Sequence, residues 1–159
     1  LDRRNISKVL SSDFTRAEQT IKKFAQEKNI PCIWSATLRE RDFGELKGMF
    51  YKDINKTEVF EENFSPPGGE DLKEFKTRVD YAWDEIIEVG NSLTGELVII
   101  THGLIIKDLL KRKLLLDDRV TPKYDIVPNT SITIFEPTCP YKVIKFACTK
   151  HLKSIEINQ

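Results

Sequence analysis

Apolar positions along this chain recur with two periods, and the changes between them outline the elements. Residues 7–11 form a short strand-like stretch. Between residues 13 and 28, Phe14, Ala17, Ile21, Phe24 and Ala25 fall at helical intervals, which predicts one buried helical stripe. Ser12, Asp13 or Thr15 could cap this helix, and Glu18 follows Thr15 at capping-box spacing. Residues 30–34 read as a second short buried strand, residues 38–48 as a charged loop containing glycine, and residues 51–64 are weakly patterned. Pro66-Pro67-Gly68-Gly69 breaks the chain, because proline restricts its neighbour and glycine tolerates positive φ. A second helix is predicted after it: Leu72, Phe75, Val79, Ala82, Trp83, Ile86 and Ile87 return at helical intervals, and Gly90 is placed as a C-terminal cap.

Leu97-Val98-Ile99-Ile100-Thr101-His102-Gly103 breaks both rhythms, being uninterrupted and apolar until it stops at a histidine and a glycine. Such a run predicts a strand buried on both faces of a mainly parallel sheet. Residues 104–113 have helical spacing, so His102 should stand at a strand's carboxyl end beside a helix N-terminus. Open α/β sheets bind ligands at that edge, and helix N-termini favour anions. Residues 122–128 form a loop, while residues 130–135 and 141–148 alternate around a proline-bounded turn and predict a closing hairpin. The fold class is α/β, in a single domain spanning residues 1–159.

Composition narrows the choice of partner. The chain has 159 residues, enough to bury roughly two-thirds of its unfolded surface. Lysine and arginine total 25 against 25 acidic residues, with a pI near 6.9, so no global field favours nucleic acid or an anionic membrane. The apolar runs are too short to span a bilayer and no signal-peptide architecture opens the chain, so a soluble cytoplasmic protein is expected. Cys32, Cys139 and Cys148 are odd in number and lack metal-ligand spacing, which predicts free thiols and no metal or other cofactor. Met49 is the single methionine and the chain opens on Leu1-Asp2-Arg3-Arg4, the expectation being a fragment of a longer protein.

Four clusters could carry chemistry. Arg16 lies in the first helical turn, where the macrodipole disfavours a cation by about 0.3–1 kcal/mol. A bound phosphoryl group would remove that conflict; an arginine paired with a nearby carboxylate would also do so. His102 with Gly103 forms the second cluster, where a glycine permits close backbone approach to a ligand and the histidine is either catalytic or structural. Glu40 sits between Arg39 and Arg41, which should favour its ionised form and suit a base or an anchor, unless a bound phosphate pushes the pKa back up. Pro66-Pro67-Gly68-Gly69-Glu70 alone marks only a turn and a helix start.

Taken in order, Ser11-Ser12-Asp13 with Arg16-Ala17 and Thr20, Leu38-Arg39-Glu40-Arg41 with Phe43-Gly44 and Gly48, Gly68-Gly69-Glu70, and Thr101-His102-Gly103 resemble the histidine phosphatase superfamily. The resemblance spans nearly the whole chain. It implies a three-layer α/β/α sandwich like that of the phosphoglycerate mutases, and hydrolysis of phosphomonoesters through a phosphohistidine. Arg16 would clamp the phosphoryl oxygens, His102 would be the second active-site histidine, and Glu40 would protonate the leaving oxygen and then help activate water. Gly103 and Asn129 would contact substrate, a small phosphorylated metabolite, and no metal is implied. Pro66 to Glu70, Val127-Pro128-Asn129-Thr130 and His151-Leu152 look most like the TIGAR-type fructose-2,6-bisphosphatases.

One family element is not matched. The nucleophilic histidine of the family lies in an Arg-His-Gly motif that ends the first strand, upstream of the Ser-Ser-Asp segment, and these 159 residues contain no such motif. His151 is a poor substitute, since no phosphate-cradling glycine or helix follows it. In the family that first strand lies mid-sheet, beside the one corresponding to residues 97–100. The sequence therefore leaves open a sugar-bisphosphate phosphatase, a mutase or broad-specificity phosphatase, and a truncated relative that binds phospholigands without turnover.

Overall fold

The computed structural model describes residues 4–48, 64–116 and 127–152. The weakly patterned residues 51–63 and most of the loop at 122–128 lie outside that set. Among these residues, five strands and three α-helices follow one another as β1 (Ile6–Ser12), α1 (Thr15–Glu27), β2 (Cys32–Ser35), α2 (Leu72–Asn91), β3 (Glu96–Ile100), α3 (Gly103–Arg112), β4 (Ile132–Phe135) and β5 (Val143–Cys148). The first three strands form a parallel sheet ordered β2-β1-β3, and β4-β5 is an antiparallel hairpin. This is the expected α/β architecture.

Alternation along β1 sends successive side chains to opposite faces. Leu10 joins Phe75, Val79, Ala82, Trp83 and Ile86 of α2 and Ile105 and Leu109 of α3 in one core. Val9 takes the other face, towards α1, which packs on β1 and buries Ala17, Ile21 and Ala25. Helices thus cover both sides of the sheet. Trp83 ties the hairpin to α2, its ring lying 4.9 Å from Tyr141 and 5.9 Å from Phe135.

Several expectations need correcting. None of the β3 residues is fully buried, against the expected strand buried on both faces, and among the described residues β3 pairs only with β1, which lies between it and β2. Among the described residues β2 is the opposite edge, with Trp34 44% exposed. Phe14 is the N-cap residue of α1 and no side chain caps that helix, although Ser12 Oγ accepts from the Phe14 amide nearby. The capping box closes α2 instead: the Asp71 carboxylate accepts from the Glu74 amide at 2.7 Å, and the Glu74 carboxylate accepts from the Asp71 amide at 3.0 Å. Gly90 lies inside α2, which continues to Asn91 and ends at Ser92, whose amide closes the last turn on Gly90 and Val89. The three thiols are unpaired, as expected.

Candidate active site

The carboxyl ends of β1 and β3 stand side by side, Ser11 opposite Ile100. β1 leads through buried Ser11 and Ser12 into α1, and β3 leads through Thr101 and His102 into α3. The two strand ends are joined by one hydrogen bond, 2.9 Å between His102 Nε2 and Ser12 Oγ. Phe14 sets its ring edge-on to the imidazole, centroids 5.5 Å apart, and the Arg16 guanidinium lies 4.6 Å from the same Phe14 ring.

Arg16 is exposed in the first turn of α1 and, among the described residues, forms no ion pair with a carboxylate. Among the described residues this leaves a cation at a helix N-terminus with its guanidinium turned to no carboxylate. Arg39, by contrast, makes two hydrogen bonds to Asp13 at 2.6 and 2.5 Å.

Glu40 arrives on the segment after β2 and lays its carboxylate across the start of α3. Oε2 accepts from the Leu104 amide at 3.3 Å, and Oε1 from the Arg41 amide at 3.0 Å. Thr101 Oγ1 donates to the Leu38 carbonyl at 2.8 Å, pinning that segment to the end of β3. The charge expectation for Glu40 is overturned. Burial raises its pKa and outweighs the two amides, Arg16 and Arg78, which all act to lower it. The flanking arginines are engaged elsewhere: Arg39 with Asp13, and Arg41, only 3% exposed, with the carbonyls of Glu70 and Phe64. Sequence adjacency brought charge near in number, not in space.

Sequence reasoning missed Arg78 of α2. Its guanidinium donates to both Glu70 carboxylate oxygens, at 2.6 and 2.7 Å, and to the carbonyls of Thr37, Arg39 and Glu40 at 2.7, 2.8 and 3.4 Å. Burial would raise the Glu70 carboxyl, but these bonds and the Asp42 amide hold it below its ordinary value. The sequence does not mark this arginine, because its carboxylate partner lies eight positions back, across the start of α2, and three further partners are backbone carbonyls about forty positions away.

His102 is held neutral at ordinary pH. Burial first, then the charges of Arg16 and Arg78, lowers its pKa from 6.5 to about 4. Gly103 opens α3, and a Cβ built there would meet only Glu40 Oε2 at 4.0 Å, so the protein's own packing does not demand glycine. Asn129 is exposed in the turn before β4, and among the described residues its side chain has no hydrogen bond to Arg16, Glu40 or His102. His151 is exposed at the end of the described chain. The assembled group thus offers an exposed guanidinium, a half-buried carboxyl with a raised pKa, and a neutral imidazole at two helix N-termini.

Residues 1–147 match the model of the histidine phosphatase superfamily, branch 1. A phosphoglycerate mutase-like protein of Arabidopsis thaliana is 30% identical over 141 residues, covering 82% of this chain and 58% of its own length. A broad-specificity phosphatase of Saccharomyces cerevisiae is 30% identical over 137 residues, covering 83% of this chain and 59% of its own length. This chain therefore spans about three-fifths of those relatives. A solved structure from Thermus thermophilus shares the fold with a TM-score of 0.62 at 24% identity, over 87% of this chain and 72% of that one. The family match covers nearly all of the sequence that builds the sheet, its helices and the cluster at its carboxyl edge, and the chain belongs to the histidine phosphatase superfamily.

Proposed function

We propose that this domain is the larger part of a phosphomonoester hydrolase that works through a phosphohistidine. The observation that carries the reading is the meeting of exposed Arg16, Glu40 with its raised pKa and neutral His102 at the carboxyl edge of a parallel sheet. Arg16 would hold the phosphoryl oxygens with its planar fork. His102 would donate to them as negative charge builds, and Glu40 would give its proton to the leaving oxygen and take one back from the attacking water. Burial of Glu40 suits an acid, which must keep its proton until substrate arrives.

These residues supply no nucleophile, so the reading includes a strand ending in Arg-His-Gly upstream of Leu1. The edge of β3, open among the described residues, supports that part, since a parallel strand placed there would lie beside His102. The substrate class is a small phosphorylated metabolite; fructose 2,6-bisphosphate and 2,3-bisphosphoglycerate are the first choices, in line with the TIGAR-type motifs. A mutase is the second reading, favoured by relatives named as 2,3-bisphosphoglycerate-dependent phosphoglycerate mutases. Protein carrying the upstream segment is expected to release phosphate from one of these esters without added metal, and His102→Ala to slow release at least about a hundredfold, the usual effect of losing one transition-state donor. Unchanged turnover in that variant rejects the assignment. An upstream frame without Arg-His-Gly turns the reading to a phospholigand-binding protein.

A further inference from the structure

The hydroxyl of Ser12 is fully buried, and its proton has to go somewhere. Ser12 Oγ has two neighbours: the Phe14 amide, which donates to it at 3.3 Å, and His102 Nε2 at 2.9 Å. An amide only donates, so the Phe14 contact occupies a lone pair and cannot receive the hydroxyl hydrogen. Among the described residues, Nε2 is the one acceptor that Ser12 Oγ can reach. Leaving a buried hydroxyl without an acceptor is costly, so this bond favours hydrogen on the other ring nitrogen. The ring is neutral at pH 7, so one of its nitrogens is bare and able to accept.

We propose that Ser12 is a positioning residue: its hydroxyl donates to Nε2 and so fixes His102 as the Nδ1–H tautomer. The ring then has one donor, Nδ1–H, and Nε2 stays closed until the Ser12 hydroxyl turns away. The consequence for catalysis rests on the phosphohydrolase reading. His102 would stabilise phosphoryl oxygens as a neutral donor through Nδ1–H, and a second proton on Nε2 would leave the Ser12 hydrogen without an acceptor. Phe14 packs against the same imidazole in a T-shaped contact, centroids 5.5 Å apart.

The tautomer is read directly from the ring nitrogen shifts of 15N-labelled protein at neutral pH, with the His151 signals assigned through His151→Gln. Wild-type protein is expected to show a protonated Nδ1 and a bare, hydrogen-bonded Nε2 for His102. Ser12→Ala is expected to shift the ring towards the Nε2–H form. A wild-type spectrum with hydrogen on Nε2 overturns the proposal, and so does a folded Ser12→Ala protein with an unchanged pattern. Should Ser12→Ala not fold, Ser12→Cys replaces it; its weaker donor is expected to shift the equilibrium in the same direction, and no shift counts against the proposal. Neither spectrum depends on turnover, so failure of the tautomer assignment and failure of the phosphatase reading are separate results.

Discussion

Between pH 6.5 and about 4, an unfolded chain protonates the imidazole of His102 and the folded one does not. Stability therefore falls as pH drops through that interval, because the unfolded state binds the extra proton, and this contribution is level above it. Glu40 acts with the opposite sign: its raised pKa means that the fold holds a proton more readily, so ionising it as pH rises costs stability. His102→Asn is expected to flatten the loss on the acid side in urea unfolding at neutral pH and between the two pKa values. An equally steep loss in the variant would place the acid sensitivity elsewhere. Arg16, Glu40 and His102 are all visible in the sequence because each sits at a position with its own local logic: a helix start, a charged loop, a strand end. Arg78 and the pairing of Ser12 with His102 are not, since both depend on neighbours set by the sheet.

At the scale of elements, the segment bearing Glu40 is bolted to the proline-glycine turn by close backbone contact. The Glu45 amide donates to the Pro67 carbonyl at 3.0 Å and the Glu70 amide to the Asp42 carbonyl at 2.8 Å. A Cβ on Gly69 would lie 2.5 Å from the Asp42 carbonyl oxygen and 2.6 Å from the Gly44 nitrogen, where neither neighbour can yield. Gly69→Ala is expected to cost about 1–3 kcal/mol in chemical unfolding, whereas Gly103→Ala, with room at its Cβ, should be nearly neutral in the same measurement. Equal costs would refute this account of the seam. The turn thus has a structural task that its sequence, read as a break, does not disclose. Helical periodicity locates α1, α2 and α3 because each buries one stripe, but the ends mislead: Gly90 is helical and Thr15–Glu18 is no cap. Strand burial misleads for a similar reason. Apolar β3 carries residues suited to two neighbours and, among the described residues, has one.

For the whole molecule, that open edge is the feature with the widest reach. Alternate amides of β3 point away from β1, and among the described residues no strand receives them. In hydrogen exchange, those outward amides are expected to exchange faster than the amides of β1, and to become protected in protein carrying the proposed upstream strand. Uniform protection across β3 in the present chain would argue against an open edge. The bond between Ser12 and His102 joins residues 90 positions apart, and that between Glu40 and Leu104 spans 64. Contacts of such separation close large loops, at an entropic cost that grows with loop length. An intermediate built from local contacts alone would leave both bonds unmade, so the site needs the long-range pairing of β1 with β3.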